Sequence, residues 1–301
     1  MSATPERIAA VRRGMTLAFL GAAAFSLKAI FVKLAYRYPG VDAIVLLMYR
    51  MLFALPFFIG MGWQASRGQM PLSRRDWFTV FLMAFLGYYV SSFTDFLGLQ
   101  YITASLERLI LYLYPTMVLL MGWLLFKQRI YATQIAGMCV SYLGVMAVFA
   151  QELEVAGSHV ALGTSLVFIS ALSYAAYLLV SGRIVARIGS LRLVSLATSI
   201  ACFFSIAQFL LTKPLSAALV PWPVIGLSVL NAVVCTVIPV TLTMLAIERI
   251  GAARVSQIGM VGPLATIGLG VLWLDEPFTL WLLAGTSLVL CGIYITNRRR
   301  A

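Results

Sequence analysis

Long apolar segments separated by short polar joints dominate the pattern of this 301-residue chain. A helix needs about 20 apolar residues to cross the hydrocarbon core of a bilayer. Pro, Gly and charged residues occupy the joints, as is typical of loops. The pattern therefore predicts an all-α membrane protein with ten transmembrane helices, at 15–36, 42–63, 77–100, 103–126, 131–150, 160–182, 190–212, 221–247, 253–274 and 278–297.

The composition supports this class of protein. Hydrophobic residues make up 62% of the chain and charged residues 11%, and the mean hydropathy is +0.97. A soluble domain carries about 25% charged residues, so a soluble enzyme, a disordered chain and a disulfide scaffold are excluded. The four cysteines lie in apolar segments without CxxC spacing, and we expect neither a disulfide nor a metal site.

The net charge of +12 is distributed over many short joints rather than gathered on one face. We therefore expect no nucleic-acid partner. Placing the N-terminus inside puts sixteen Lys and Arg residues in inner segments and two, Arg37 and Lys213, in outer ones. The positive-inside rule then predicts a multi-pass protein of the inner (plasma) membrane with both termini in the cytoplasm.

The two halves of the chain resemble each other when one is shifted by 148 residues. Chance recurrence of Gly and Pro is the alternative, but six identities in one ungapped register favour a repeat. Each half, 15–150 and 160–297, contains five spans, and an odd number inverts the second half relative to the first. The six pairs are Ile102/Ile250, Ala104/Ala252, Pro115/Pro263, Gly122/Gly270, Gly137/Gly285 and Gly144/Gly292, and they are among the identities of this register.

Two stretches carry a resemblance to a known family. "GLQYITASLERLILYLYPTMVLLMGWLLFKQRIYATQIAGMCVSYLGVM" and "LAIERIGAARVSQIGMVGPLATIGLGVLWLDEPFTLWLLAGTSLVLCGIYI" resemble the two EamA-type repeats of the drug/metabolite transporter superfamily. The resemblance implies a ten-helix bundle with a central cavity, and mostly export of small metabolites such as amino acids. The glutamate usual after the fourth span is present as Glu276 in the second half but is Gln128 in the first, which predicts a weaker cap there.

Five charged residues lie well within the spans, and all of them are in the first half: Lys28, Arg50, Asp95, Glu107 and Arg108. Each costs about 2.5–3.5 kcal/mol to insert, and such residues are functional candidates by default. Asp95 and Arg108 lie roughly 10 Å from the turn between the third and fourth spans, so we predict an ion pair that offsets their desolvation. This pair either belongs to a site or only locks the hairpin.

Glu107 projects about 100° away from Arg108 around the helix. It is predicted either to pair with Lys28 or to act as a proton carrier, because burial favours the neutral form of a carboxyl group. A static ion pair in the bundle interior is the alternative. The family resemblance places the second helix at the periphery, so for Arg50 we favour packing or snorkelling.

Polar and aromatic residues recur at helical spacing on the third, fourth, sixth and eighth spans. Such faces line a cavity or form hydrogen bonds between helices, and we favour the cavity. Pro115 and Pro263 are predicted to kink their helices, and the glycines of the fifth and tenth spans to allow close packing. The candidate substrate-binding residues are Lys28, Tyr88, Ser92, Asp95, Glu107, Arg108, Tyr112, Tyr174, Tyr177 and Asn231.

The motifs disfavour catalysis. The single histidine, His159, lies in a predicted outer loop, and neither a Walker loop nor a dinucleotide fingerprint is present. We expect no catalytic residue, no cofactor and no use of ATP, so transport must draw on a gradient. The leading hypothesis is secondary-active export of a small polar metabolite by alternating access. The net charge of +1 within the spans favours a zwitterion or monoanion such as an amino acid.

Other functions stay open at this stage. Uptake or exchange of another metabolite, such as a nucleotide-linked sugar, is the main alternative, and a membrane enzyme or a sensor is less favoured. The expected partners are a small-molecule substrate, the lipid bilayer and, as a candidate coupling ion, the proton. The sequence leaves open whether the protein is a monomer or a homodimer.

Overall fold

The computed structural model describes residues 5–259 and 261–297, and every regular element in these ranges is helical. Eight helical segments are long and apolar enough to cross a membrane, and two shorter apolar helices, Val261–Leu274 and Leu280–Thr296, follow them. The predicted ten-helix membrane architecture is thereby confirmed. The basic tail at 298–300, which contributes to the predicted inner charge, lies outside the described residues.

Six of the ten spans are single helices, and they are listed in chain order. The first is Pro5–Tyr36, the second Ala43–Ser66, the fifth Ala132–Ala156, the sixth His159–Ile188, the seventh Ser190–Thr212 and the tenth Leu280–Asn297. The first and sixth helices are longer than predicted. A 3₁₀ turn, Leu215–Ala218, lies in the joint after the seventh span.

The other four spans are built from shorter pieces. The third consists of Arg74–Met83, the π-helical turn Ala84–Val90 and Ser91–Gly98, and the fourth of Ala104–Leu111 and Tyr114–Phe126. The eighth consists of Trp222–Ala232, the π-helical turn Val233–Val237 and Ile238–Ile250, and the ninth of Ala252–Gly259 and Val261–Leu274.

The joints carry the expected helix-start and helix-stop chemistry. Ser73 and Asp76 form a capping box at the start of the third span, and Thr103 accepts a hydrogen bond from the Leu106 N–H at the start of the fourth. These caps satisfy backbone N–H groups that have no partner within the helix. Gly157 and Gly189 end the fifth and sixth spans at φ values of 82° and 87°, a region that favours glycine.

The packing of the helices follows the repeat. The fifth span packs against the tenth and the second against the seventh. The first packs against the eighth and ninth, and the sixth against the third and fourth. Exchanging each helix for its counterpart five spans away reproduces this pattern. The fold therefore has the internal two-fold relationship of a duplicated bundle.

Irregular turns interrupt the helices at related places. A shift of 148 residues moves the π turn Ala84–Val90 onto 232–238, which overlaps the π turn Val233–Val237. The fourth helix breaks immediately before Pro115, which confirms the predicted disruption there. The matching position before Pro263 includes Met260, which lies outside the described residues, so a hinge at Pro263 stays a prediction.

Glycines bring the fifth and tenth helices into backbone contact, as predicted. A Cβ atom built on Gly144 would lie 2.6 Å from the carbonyl oxygen of Gly285, and the reverse distance is also 2.6 Å. Gly137 and Gly292 approach each other in the same way. Since a methyl group at any of these positions would meet backbone atoms, the close approach requires glycine.

Substituting Gly144→Ala is therefore expected to destabilise the protein by about 1–3 kcal/mol, the usual cost of overpacking. Gly268→Ala is the matched control, because Gly268 is helical and nothing lies within 4 Å of the added Cβ. Thermal unfolding of the purified protein in detergent measures both variants. Equal melting temperatures for the two would show that the fifth and tenth helices are not in tight contact.

Candidate functional site

The two ends of the bundle differ in character. We call the end that carries the turn at Tyr101 and Ile102 the hairpin end. The opposite end, with Arg67, Arg187 and Arg192, is the arginine end. Arg187 pairs there with Asp76, and Arg192 donates from Nε to Ser66 Oγ over 3.1 Å. The positive-inside rule predicts that the arginine end faces the cytoplasm, and this orientation stays a prediction.

A cluster of ionisable groups lies one to two helical turns from the hairpin end. Lys28 Nζ is 2.6 Å from Asp95 Oδ2 and 2.9 Å from Glu107 Oε1. Lys28 is 4% exposed, Asp95 3% and Glu107 not at all. The first, third and fourth spans thus meet at one ammonium group held between two carboxylates. The predicted contact between Lys28 and Glu107 is confirmed.

Arg108 has different partners from those predicted. Its Nε donates to Thr266 Oγ1 over 3.0 Å, and its Nη2 donates to the Phe25 carbonyl over 3.3 Å. Nε also lies 3.9 Å from Glu107 Oε2. The predicted Asp95–Arg108 ion pair is wrong. Arg108 contacts Phe25 of the first span and Thr266 of the ninth, while Asp95 contacts Lys28 of the first span. Equal depth in the membrane therefore does not bring Asp95 and Arg108 together.

Several oxygens of the cluster lack a hydrogen-bond donor. Asp95 Oδ1 and both carboxylate oxygens of Glu107 are buried and have no such partner among the described residues. The contact between Lys28 and Glu107 is thus an ion pair without hydrogen-bond geometry. Buried acceptors of this kind cost free energy unless another donor reaches them. The cluster therefore has capacity to bind a donor group or a proton.

Arg50 lies inside the bundle, which contradicts snorkelling and agrees with packing, the other role predicted for it. It is 7% exposed, its Nε donates to Thr236 Oγ1 over 3.0 Å, and its guanidinium lies 5.2 Å from the centre of the Phe96 ring. It borders a cavity of about 10 Å³ together with Asn231 and Ser228. That volume accommodates about one water molecule. The second span therefore brings a third buried cation close to the cluster.

Asn231 connects this cavity to the cluster. Its Nδ2 donates to the Lys28 carbonyl over 3.4 Å, and its buried Oδ1 has no donor among the described residues. Its own carbonyl accepts a hydrogen bond from Thr236 Oγ1 over 3.0 Å, across the π turn Val233–Val237. π turns inside helices often occur at functional sites. Here the π turn places Thr236 between Asn231 and Arg50.

The predicted tyrosines form two groups. The Tyr88 and Tyr177 hydroxyls are 3.0 Å apart, and the Tyr174 ring stacks on Tyr177 with centroids 5.6 Å apart. Tyr112 donates instead to the Gly259 carbonyl in the ninth span. Ser92 is partly buried on the third span beside the first group. The tyrosine group therefore lies on a different part of the third span from the ion cluster.

Hydrogen bonds between helices account for part of the polar face of the third span. Ser170 Oγ lies 3.1 Å from Ser91 Oγ and donates to the Ser91 carbonyl over 2.7 Å. Ser173 donates to the Leu86 carbonyl over 2.8 Å, within the π turn of the third span. This is the interhelical bonding that competes with a cavity as the explanation for such residues.

The hairpin end is closed by polar contacts that the sequence did not reveal. Glu276 accepts hydrogen bonds from the Ala104 N–H over 2.7 Å and from Ser105 Oγ over 2.6 Å. Glu152 accepts from the Thr103 N–H over 2.7 Å, and Lys33 donates to the Ile102 carbonyl over 3.0 Å. Two carboxylates thus cap the fourth span, as suits a helix N-terminus. Only the Thr103 cap is a sequence signal for this arrangement.

Thr266 is the residue that sequence reasoning missed most clearly, because a lone threonine in an apolar span carries no spacing pattern. Thr236 belongs to the polar face predicted for the eighth span, but its contact with Arg50 was not predicted. Glu276 was expected at a cap, but its contact with the fourth span was not. Glu276 follows the ninth span, and its distance from residue 104 along the chain gives no indication of contact.

Duplicated five-helix halves with buried charges where several helices meet are typical of membrane transporters. A model of the EamA-like transporter family matches the chain twice, at residues 12–150 and 161–298. Together the two matches cover most of the sequence. The chain belongs to the EamA-like transporter family, and it is a multi-pass membrane protein.

Relatives and solved structures agree with this assignment. The chain is 30% identical over 283 residues to the uncharacterized transporter YcbK of Bacillus subtilis (strain 168), covering 90% of this chain and 88% of the relative. It is 26% identical over 205 residues to an uncharacterized transporter of Archaeoglobus fulgidus, covering 68% and 71%. A protein of known crystal structure matches with a TM-score of 0.62 at 17% identity over 96% of each chain, which shows the fold alone.

Proposed function

We propose that the protein is a secondary-active exporter of a small polar metabolite such as an amino acid, working by alternating access. The observation that supports this proposal is the buried group of Lys28, Asp95 and Glu107, in which three carboxylate oxygens have no hydrogen-bond donor among the described residues. Ionisable groups at such depth are costly. A transporter can use them to exchange a charged substrate group for a proton.

The chemistry of the cluster suits this exchange. Two carboxylates share one ammonium, so the amino group of a substrate can compete with Lys28 for the same oxygens. Protonation of one carboxylate removes a charge whose burial is otherwise expensive. Substrate and proton would then occupy the site in turn, and coupled antiport follows from that competition.

Access to the cluster requires helices to move. The contacts of Glu152 and Glu276 close the hairpin end, and the cluster itself is almost fully buried. The break before Pro115 and the two π turns lie in spans that line or adjoin the cluster. Breaks of this kind are where helices bend. We assign to these three features the motions that expose the site to each side alternately.

Transport in vesicles of known orientation tests the function. In inside-out vesicles that contain the protein, a labelled amino acid from a panel of the standard L-amino acids is expected to accumulate when the lumen is acidic. Vesicles prepared without the protein are the control. Accumulation only in right-side-out vesicles would favour uptake, and no gradient-dependent transport of any member of the panel would contradict the proposal.

The predicted orientation has its own test. In a variant with its four native cysteines replaced by alanine, we expect Ser158→Cys to react with an impermeant thiol reagent added outside intact cells. Gln69→Cys is the matched control at the arginine end, because both positions are exposed and lie in joints. Gln69→Cys is expected to react only after the membrane is permeabilised. Labelling of Gln69→Cys in intact cells would reverse the orientation.

A further inference from the structure

We infer that Arg50 binds the carboxylate of a zwitterionic substrate, while Asp95 and Asn231 accept hydrogen bonds from its ammonium group. This inference rests on the proposed function and assigns the two ends of the substrate to separate residues. It places Arg50, on the second span, in the binding site.

Arg50 has a buried positive charge without a carboxylate partner. It is 7% exposed, and among the described side chains no Asp or Glu lies within ion-pair distance of it. Its one hydrogen bond to a described residue leaves from Nε, to Thr236. The terminal nitrogens of a guanidinium suit a carboxylate, which they bind in a bidentate manner. Arg50 thus has donors available for a substrate carboxylate.

Whereas Arg50 has donors available, two neighbouring side chains have acceptors available. Asp95 Oδ1 and Asn231 Oδ1 are buried acceptors without donors among the described residues. An ammonium group is a source of three donors and has no acceptor. A ligand with a carboxylate at one end and an ammonium at the other would therefore satisfy Arg50, Asp95 and Asn231 together.

Lys28, Arg50 and Asn231 occupy one layer of the bundle, and Asp95 reaches that layer through its ion pair with Lys28. Lys28, Arg50 and Asn231 lie about seven to nine residues, roughly 10–14 Å, from the ends of their helices at the hairpin end. Arg50 and Asn231 border the same cavity, and Asn231 contacts the backbone of Lys28, the partner of Asp95. An α-amino acid separates its two charged groups by one carbon atom, which requires this kind of proximity.

The cavity is small compared with its proposed occupant. About 10 Å³ accommodates one water molecule and not an amino acid. Substrate binding therefore requires the second and eighth spans to separate. The π turn of the eighth span lies at this interface and carries Thr236, the hydrogen-bond partner of Arg50. Movement of that turn would release Arg50 toward the cavity.

Ligand-dependent thermal shifts of the purified full-length protein test the assignment. The probes are the standard L-amino acids, each compared with the primary amine that lacks its carboxylate and the carboxylic acid that lacks its amino group. A site built for both ends is expected to favour the best amino acid over either analogue by roughly 100-fold in apparent affinity. In Arg50→Gln the preference for the amino acid over the amine should disappear, while the affinity for the amine stays unchanged.

Asn231→Leu is expected to affect recognition of the ammonium group. It should lower the preference for the amino acid over the carboxylic acid that lacks the amino group, and keep the preference for the amino acid over the amine. Arg192→Gln is the matched control, since Arg192 is a hydrogen-bonded arginine of the arginine end, and it should keep both preferences. If Arg50→Gln fails to fold, Thr236→Val removes the partner of Arg50 and should weaken the preference over the amine several-fold.

The outcomes separate this inference from the proposed function. If Arg50→Gln, or Thr236→Val in its place, keeps the preference of the wild-type protein over the amine, the role of Arg50 is overturned and amino-acid transport stands. If the wild-type protein binds amine and amino acid equally, the inference also fails. If the wild-type protein neither binds nor transports any member of the panel, the substrate class fails and the inference fails with it.

Discussion

Lys28→Met is expected to destabilise the protein by about 3–5 kcal/mol, because it leaves two buried carboxylates without their shared cation. Lys28 Nζ lies within 3 Å of an oxygen of both Asp95 and Glu107, and all three side chains are almost fully buried. Methionine keeps much of the length of the lysine side chain without its charge. Thermal or chemical unfolding in detergent measures the loss.

A double-mutant cycle identifies the interaction behind that loss. Lys28→Met combined with Asp95→Asn should recover a large part of the stability, because one of the two uncompensated charges is removed. Lys28→Met combined with Glu154→Gln is the control and should be close to additive, since Glu154 is exposed and lies outside the ion-pair network of Lys28. Additivity in the first cycle would contradict the observed pairing.

Glu107→Gln is expected to abolish accumulation driven by a pH gradient, while exchange of substrate without a gradient continues. Glutamine resembles the protonated form of glutamate and changes the volume little. Glu107 is fully buried, and its two oxygens have no hydrogen-bond donor among the described residues. If it is the group that releases and takes up the proton, a side chain that cannot titrate uncouples the cycle. Reconstituted liposomes with an imposed pH gradient measure both activities.

Glu154→Gln is the control for this variant, because Glu154 is exposed near the end of the fifth helix. It should accumulate substrate like the wild-type protein. Accumulation at the wild-type level by Glu107→Gln would remove Glu107 from the coupling step. Facilitated diffusion, or coupling through Asp95, would then explain transport.

The architecture could be predicted from the sequence because each of its signals is local or periodic. Apolar segments of membrane-spanning length predict the helices. The offset of 148 residues that Pro115 and Pro263 share with other identical pairs predicts the duplication. The glycines of the fifth span, and those of the tenth, are seven residues apart and lie on one face of their helix, which favours close helix packing. These signals need no knowledge of which helices are neighbours.

The site was only partly predictable, because its contacts depend on rotation around each helix. Depth along a helix follows from residue number, and this is why Lys28, Asp95 and Glu107 were expected in one layer. Rotation also depends on irregular turns, and the π turn Ala84–Val90 precedes Asp95 on the same span. Because rotation around the helix could not be predicted, Asp95 was wrongly expected to pair with Arg108. For the same reason Arg50 was expected at the periphery rather than inside the bundle.

The uneven distribution of charge between the two halves has an energetic consequence. A shift of 148 residues places Thr243 and Val255 at the positions equivalent to Asp95 and Glu107. In the first span the offset is 149, which matches Gly14 to Gly163 and Ala22 to Ala171, so the equivalent of Lys28 is Tyr177. Two identical halves would make the inward-facing and outward-facing forms equivalent by rotation about the two-fold axis, and therefore equal in free energy. Here one half carries the ions and the other carries neutral side chains, so that degeneracy is lifted. Under the proposed antiport mechanism, the inward-facing and outward-facing forms therefore differ in free energy. Binding of substrate and proton must overcome or reinforce that difference in each cycle.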